Sequence, residues 1–148
     1  MTRCSSGPDA VAYIRGGADA PGMMGQVRFY QEPHSVLVVA DVAGLPQDNA
    51  AGFFGFHIHE GTACTGAGFA DTGGHYNPGN AEHPDHAGDL PPLMSQQGRA
   101  HLAVRTDRFR VQDVLGRTVV IHGHPDDFHT QPAGDSGTRI ACGVIGRR

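Results

Sequence analysis

The stretch that decides the fold is Gly52-Phe53-Phe54-Gly55-Phe56-His57-Ile58-His59. A β-strand sends successive side chains to opposite faces, so Phe56 and Ile58 point to one face and both histidines point to the other. This pattern predicts an apolar core on one side of the strand and two converging imidazoles on the other. Taken alone, a His-x-His pair is also typical of an ordinary polar strand face.

Apolar residues alternate along most of the chain and do not recur at helical spacing. The β-rich runs are separated by Gly, Pro, Asn and Asp, and they occupy residues 10–15, 26–31, 35–42, 52–59, 100–106, 117–122 and 139–145. The 22 glycines and 10 prolines leave no room for a long amphipathic helix. We therefore predict a single all-β domain over residues 1–148, a sandwich or flattened barrel, with residues 1–9 as a loose N-terminal segment.

Composition excludes several classes of protein. A chain of 148 residues has room for one hydrophobic core but not for two. No apolar run reaches the roughly 20 residues of a membrane span, and the net charge of -4 argues against nucleic-acid binding. Residues 1–7 lack the pattern of a secretory leader, so the compartment stays open: cytoplasmic as the sequence stands, or periplasmic or extracellular if a leader was removed.

Two segments are too long for hairpin turns, residues 60–97 and residues 123–138, and loops of this length are usually functional. Within the first loop, Pro84 and Gly88 break the run His83-x-x-His86-x-x-Asp89, so it cannot form one helix face and should fold around an ion. With His75 upstream, three imidazoles and one carboxylate suit a tetrahedral zinc site, whose ion would supply the ordering energy of the loop. A solvated loop with scattered histidines is the plainer alternative.

The strand at residues 117–122 repeats the alternation seen around His57. Val119 and Ile121 should face the core, with His122 and His124 on the opposite face. The pattern does not decide which of these two histidines binds a metal. The ordered groups of candidate ligands, among ten histidines in a chain without lysine, predict two metal ions and not one.

Five ordered motifs resemble the copper,zinc superoxide dismutase family. They are Gly55-Phe56-His57-Ile58-His59-Glu60, His75-Tyr76-Asn77-Pro78, His86-Ala87-Gly88-Asp89-Leu90, Gly116-Arg117-Thr118-Val119-Val120-Ile121-His122 and Gly137-Thr138-Arg139-Ile140-Ala141-Cys142-Gly143-Val144-Ile145-Gly146. The likeness covers the chain from about residue 10 to residue 146. It implies an eight-stranded Greek-key β-barrel with two long functional loops.

The resemblance also implies two sets of metal ligands that share His75. The copper set would be His57, His59, His75 and His122. The zinc set would be His75, His83, His86 and Asp89. Asp126 matches a carboxylate that would accept hydrogen bonds from the remaining ring nitrogens of His57 and His83. Without the family, Asp126 would be an ordinary loop aspartate beside Asp127.

The chain has three cysteines, which are far apart in the sequence and form no C-x-x-C motif. We therefore expect one disulfide and one remaining thiol. The resemblance implies that Cys64 and Cys142 form an intrasubunit disulfide. Cys4 has no counterpart in the family pattern. A free thiol and a disulfide between subunits both stay open for it.

The resemblance implies that the protein is an oxidoreductase. It would convert superoxide to oxygen and hydrogen peroxide, with copper and zinc as cofactors. His75 would take up a proton when its bond to copper breaks, and Arg139 would guide the superoxide anion. A lone arginine before an apolar strand is otherwise an ordinary surface residue. The short loop after Asp127 and the close spacing of His83 and His86 favour a bacterial-type member, with a homodimer as its possible assembly.

Two other functions remain as alternatives. A copper-binding or copper-buffering protein on the same fold would turn over little superoxide, but such chains lose ligands or the arginine, and this chain has both. A zinc hydrolase would need an open zinc position and a general base, which the full set of four ligands argues against.

Overall fold

Eight antiparallel strands form a closed barrel in the computed structural model, which describes residues 7–148. The strands are β1 (Ala10–Gly16), β2 (Met24–Gln31), β3 (Val36–Ala43), β4 (Phe53–His59), β5 (Asp89–Gln96), β6 (Arg99–Thr106), β7 (Thr118–His122) and β8 (Arg139–Arg147). Around the barrel they follow the order β1-β2-β3-β6-β5-β4-β7-β8, so two connections cross between non-neighbouring strands, as in a Greek key. The prediction of an all-β, eight-stranded barrel is confirmed.

Strand β5 is the element that the alternation pattern missed, because residues 60–97 read as one long loop. Two prolines, Pro91 and Pro92, argue against a strand since proline cannot donate to a ladder. The structure accommodates both prolines at a β-bulge. Strand β5 pairs with β4 at Asp89–Leu90 and again at Leu93–Met94, with a register shift between the two, and it pairs with β6 only at Ser95 and Gln96. The long loop therefore ends at residue 88, and Asp89 begins a strand.

The barrel interior is filled by alternate apolar side chains. Phe56 and Ile58 on β4 are completely buried there, as the alternation predicts. Burying a side chain of this size stabilises the fold by about 2 kcal/mol. His57 and His59, between and after them, are also buried, although they do not belong to the hydrophobic core. Loops outside the barrel must therefore cover them.

Two loops supply that cover: residues 60–88, between β4 and β5, and residues 123–138, between β7 and β8. The first contains a short 3₁₀ segment, Ala67–Thr72. A disulfide between Cys64 and Cys142 ties this loop to β8, which confirms the expected pairing. A single helical turn, α1 (Val111–Val114), precedes β7.

Residues 1–6 make up most of the expected loose segment 1–9 and include Cys4, and they lie outside the described residues. At Asp9 the chain is bonded to β2: its N–H donates to the carbonyl of Phe29, and its carboxylate accepts from the N–H of Gln31. In the part of the chain that the structure describes, no helix is long and apolar enough to cross a membrane.

Candidate metal centre

Four buried histidines meet on the outer face of β4 and β7. His57 and His59 come from β4, His122 ends β7, and His75 lies in the loop, where it forms an isolated bridge with His59. We call His57, His59, His75 and His122 the strand-held cluster. Each of the four offers one ring nitrogen, and these atoms all lie within 4.8 Å of one another. Four imidazole nitrogens at this spacing can surround a single metal ion.

The second ring nitrogens of three of these histidines fix the orientation of the rings. His59 Nδ1 donates to the carbonyl of Gly73 at 2.9 Å, and His122 Nδ1 donates to the carbonyl of Gly137 at 3.2 Å. His57 Nε2 donates to a carboxylate oxygen of Asp126 at 2.8 Å. Each of these bonds leaves the other nitrogen as an acceptor, which is the form that binds a metal.

The remaining nitrogens are poorly satisfied by the protein itself. His57 Nδ1 and His75 Nε2 are buried and have no hydrogen-bond partner among the described residues. The same holds for Nδ1 of His83, which lies near this cluster. His59 Nε2 and His122 Nε2 face each other at 3.2 Å. Buried polar atoms normally have partners, and an unmet one carries a cost. The donor set therefore fits a bound cation.

Burial keeps the imidazoles of the strand-held cluster neutral. Removal from water lowers the pKa of His57 to about 4, against the opposing hydrogen bond to Asp126. Burial and the neighbouring His122 lower the pKa of His59 to about 2. Burial and the neighbouring His57 lower the pKa of His122 to about 3. At neutral pH these rings need not lose a proton before they bind a metal.

A second cluster lies on the other side of His75. We call His75, His83, His86 and Asp89 the loop-held cluster, since its three histidines come from residues 60–88. His75 Nδ1 lies 2.8 Å from Asp89 Oδ1 and 3.1 Å from His86 Nδ1. His83 Nδ1 and His86 Nδ1 each lie 3.1 Å from Asp89 Oδ2. Three nitrogens thus converge on one carboxylate, and His75 contributes a different nitrogen to each cluster.

Distance alone also groups His57 with His75, His83 and Asp89. We assign His86 to this cluster in its place, because His86 Nδ1 contacts both His75 and Asp89 directly. His57 Nε2 is instead bonded to Asp126, and its Nδ1 belongs to the strand-held cluster.

Asp126 joins the two clusters. Its two carboxylate oxygens accept hydrogen bonds from His57 Nε2 and His83 Nε2, each at 2.8 Å. Burial raises the pKa of Asp126, but these two hydrogen bonds and one from the N–H of Phe128 outweigh it and hold the pKa below its ordinary value. One ionised carboxylate therefore orients a ring in each cluster.

Sequence reasoning missed Gly134, which makes room for this contact. A Cβ atom at Gly134 would lie 2.0 Å from Asp126 Oδ1 and 2.7 Å from His83 Nε2, and its φ of 68° is in the left-handed region. Only glycine fits both conditions. The sequence holds no signal that separates this glycine from the other 21.

Arg139 begins β8 directly beside His122, with which it pairs in the ladder. Its Nη1 donates to the carbonyl of Phe69 at 3.1 Å and to the hydroxyl of Thr72 at 3.2 Å. The guanidinium is partly exposed, and its charge is one of the causes that lower the pKa of His122. A permanent positive charge therefore stands next to the strand-held cluster.

Four histidines lie outside both clusters: His34, His101, His124 and His129. His124 is exposed and belongs to the loop after β7, so of the pair His122 and His124 only His122 lies with the other imidazoles. His129 is also exposed, with its Nε2 atom 3.7 Å from the carboxylate of Asp127.

A Greek-key β-barrel with two imidazole clusters that share one histidine defines a metalloprotein with a paired metal centre. Residues 23–145 match the model of the family described as copper/zinc superoxide dismutase (SODC). The chain belongs to this family.

Bacterial relatives resemble the chain over most of its length. It is 34% identical over 145 residues to the Cu-Zn superoxide dismutase of Legionella pneumophila, covering 93% of this chain and 86% of that protein. The Cu-Zn superoxide dismutase of Deinococcus radiodurans is 36% identical over 142 residues, covering 82% of this chain and 76% of that protein. That of Pasteurella multocida is 37% identical over 139 residues, with 78% and 74% covered.

Proposed function

We propose that this protein is a superoxide dismutase that uses copper and zinc. The observation that carries the proposal is the pair of buried clusters sharing His75 in a chain of this family. When bound, copper supplies one-electron chemistry between its two oxidation states, by which two superoxide ions and two protons become oxygen and hydrogen peroxide.

We assign copper to the strand-held cluster and zinc to the loop-held cluster. Four imidazoles without a carboxylate suit both oxidation states of copper. Three imidazoles and one carboxylate are a usual tetrahedral zinc set. The contacts of Asp89 with all three histidines of the loop-held cluster support the second assignment.

His75 serves the reaction through its two nitrogens. Nδ1 is bonded to Asp89, whereas Nε2 has no hydrogen-bond partner among the described residues. His75 Nε2 can therefore hold a cation or, when the cation is released, a proton. A proton held beside the reacting anion is available for the peroxide that leaves.

Arg139 attracts and orients the anionic substrate. Its guanidinium adjoins His122 and is partly exposed, so it offers positive charge at the access to the strand-held cluster. The protein as a whole carries a net charge of -4 and repels superoxide. A local positive potential is therefore needed for fast capture.

A copper-buffering protein would not require this arginine, and a zinc hydrolase would require an open position on zinc. The presence of Arg139 beside His122 favours the enzyme over copper buffering. The approach of four donors in the loop-held cluster argues against the hydrolase.

For the assembly we propose a homodimer that uses the outer face of the neighbouring strands β1, β2, β3, β6 and β5. Tyr13, Met24 and Met94 are each more than half exposed and line one groove of about 1050 Å³. Arg15 and Asp41 line the same groove, so two copies can place opposite charges together. Met94→Glu should convert the dimer to a monomer in light scattering, whereas Val144→Glu, on β8, should not. A wild-type monomer at micromolar concentration would contradict the dimer.

Metal content and superoxide consumption, measured on the same sample, test the function. We expect one copper and one zinc per chain, an electron paramagnetic resonance signal of copper bound by nitrogen, and catalytic loss of superoxide. A protein that saturates with zinc alone and gives no copper signal would refute the proposal. Copper binding without turnover would favour the buffering function instead.

A further inference from the structure

The guanidinium of Arg139 is seated on the 3₁₀ segment Ala67–Thr72, which has no part in either metal cluster. We propose that the hydroxyl of Thr72 is a positioning group that fixes this guanidinium for anion capture. The inference rests on the proposed role of Arg139 and extends it to a residue that the sequence motifs do not include.

All hydrogen bonds from the guanidinium to this segment use one nitrogen. Nη1 of Arg139 donates to the carbonyls of Phe69 at 3.1 Å and Ala70 at 3.5 Å, and to the hydroxyl of Thr72 at 3.2 Å. Within residues 7–148, no hydrogen bond holds Nε or Nη2. The acceptors of the 3₁₀ segment therefore fix one edge of the guanidinium and leave its other donors for an anion.

The hydroxyl of Thr72 makes two hydrogen bonds in this arrangement. Its hydroxyl accepts from Arg139 and donates to the carbonyl of Phe69 at 2.8 Å, so the three groups form a closed ring of hydrogen bonds. The residue is completely buried, where a hydroxyl without partners would be costly. Valine has nearly the same shape but can make neither bond, so it isolates the contribution of the hydroxyl.

The segment itself is held in an unusual backbone conformation. Gly68 and Phe69 both have positive φ, of 59° and 58°, which a residue with a side chain adopts at a cost. The ring of Phe69 packs on Gly17, where an added Cβ would lie 2.8 Å from a ring atom. Strained backbone persists only where its surroundings enforce it, and here the strained residue presents a carbonyl to Arg139.

The hydroxyl of Thr72 also lies 3.5 Å from His59 Nδ1, which donates to the carbonyl of Gly73. A loss of function on removing this hydroxyl could therefore come from His59 and not from Arg139. The experiment must separate these two routes.

Binding of azide to the copper- and zinc-loaded protein, followed by its effect on the copper absorption and electron paramagnetic resonance spectra, measures anion capture without turnover. We expect Thr72→Val to weaken azide binding and to slow superoxide consumption by about threefold to tenfold, the effect of one hydrogen bond. Thr72→Ser should restore both values, because it keeps the hydroxyl. Thr65→Val is the matched control, since that exposed hydroxyl bonds to Asp71 and not to Arg139.

The double variant Thr72→Val with Arg139→Ala separates the two routes. If Thr72 acts through Arg139, Thr72→Val has no further effect on azide binding once the arginine is gone. An equal effect with and without Arg139, or a change in copper content or in the azide-free copper spectrum, would assign Thr72 to His59 and overturn the proposal. An unchanged azide affinity in Thr72→Val would also overturn it. If Arg139→Ala alone left azide binding unchanged, the proposed role of the arginine itself would fail.

Discussion

The two clusters differ in how the fold holds them. Three residues of the strand-held cluster, His57, His59 and His122, lie on paired strands, so the ladder between β4 and β7 sets their positions. The histidines of the loop-held cluster lie in residues 60–88, and only its carboxylate, Asp89, belongs to a strand. A site built on a ladder is formed by folding itself. A site built on a loop depends more on the ion that orders it.

The clusters also differ in charge. The strand-held cluster contains only imidazoles, and burial lowers the pKa of the three that belong to strands. The loop-held cluster contains Asp89. Burial raises the pKa of Asp89, but the hydrogen bond to His75 and the charges of His75, His83 and His57 together hold it below its ordinary value, so the carboxylate stays ionised. Loss of a metal should therefore disturb the two clusters differently.

The largest effect is expected from His122→Ala. Because His122 belongs only to the strand-held cluster, the variant should lose superoxide dismutation entirely, with copper lost or bound abnormally, while zinc stays at one per chain. Metal analysis and a superoxide assay measure this. His101→Ala, an exposed histidine on β6, should keep both. Joint loss of copper and zinc would show that the division into two clusters is wrong.

Asp89→Ala should act on the opposite cluster. It removes the carboxylate that contacts three buried imidazoles, so we expect zinc affinity to fall by at least about tenfold and the protein to lose about 3 kcal/mol of stability. Zinc competition and thermal unfolding measure these changes. Asp85→Ala, in the same loop but with an exposed side chain, is the control. Equal losses of zinc and copper would contradict the predicted selectivity.

Acid should destabilise the metal-free protein first at the strand-held cluster. His57 has a folded pKa of about 4 against an ordinary value of 6.5, so the unfolded chain binds the proton more readily. The contribution of His57 to the free energy of unfolding is fully present above pH 6.5 and is lost as the pH falls toward 4. For this residue alone the loss is about 3 kcal/mol. Urea unfolding between pH 7 and pH 4.5 measures it, with hydrogen exchange locating the change in β4 and β7. A constant unfolding free energy over this range would refute the prediction.

Arg139→Ala should have a smaller effect, limited to the strand-held cluster. We expect superoxide consumption to slow by about tenfold, equivalent to roughly 1.4 kcal/mol, with both metals retained. Its salt dependence should flatten, because charge steering is screened over about 10 Å at 0.1 M salt. Arg105→Ala makes the same change in net charge away from the clusters and should change the rate little. Pulse radiolysis over a salt series measures both variants, and an unchanged slope for Arg139→Ala would return this arginine to an ordinary surface role.

The sequence predicted the strands of the strand-held cluster well, because period-two alternation directly describes a strand with a buried face. His57 and His59 could be placed on the face opposite Phe56 and Ile58 from this rule alone. The alternation rule could not decide whether His122 or His124 joins this cluster, since the answer depends on where β7 ends. The family motif favoured His122, and in the structure His122 lies with the other imidazoles.

The loop-held cluster was harder to predict because no repeating geometry governs a loop. The ligand types in residues 75–89 were recognisable, but β5 was missed on account of its two prolines, so Asp89 was expected in a loop. Contacts made by backbone carbonyls and by residues remote in sequence leave no local signal at all. Gly134 against Asp126 and Thr72 against Arg139 are of this kind.

The carboxylate of Asp126 touches a ring of each cluster, and this places a thermodynamic constraint on how the two sites fill. An ion that strengthens the bond between Asp126 and His83 alters the basicity of His57, and the reverse must hold. Linkage requires that the factor by which zinc changes copper affinity equals the factor by which copper changes zinc affinity. Filling one site therefore changes the metal affinity of the other. The order in which a cell delivers the two ions can change the path to the loaded protein but not the total free energy of loading.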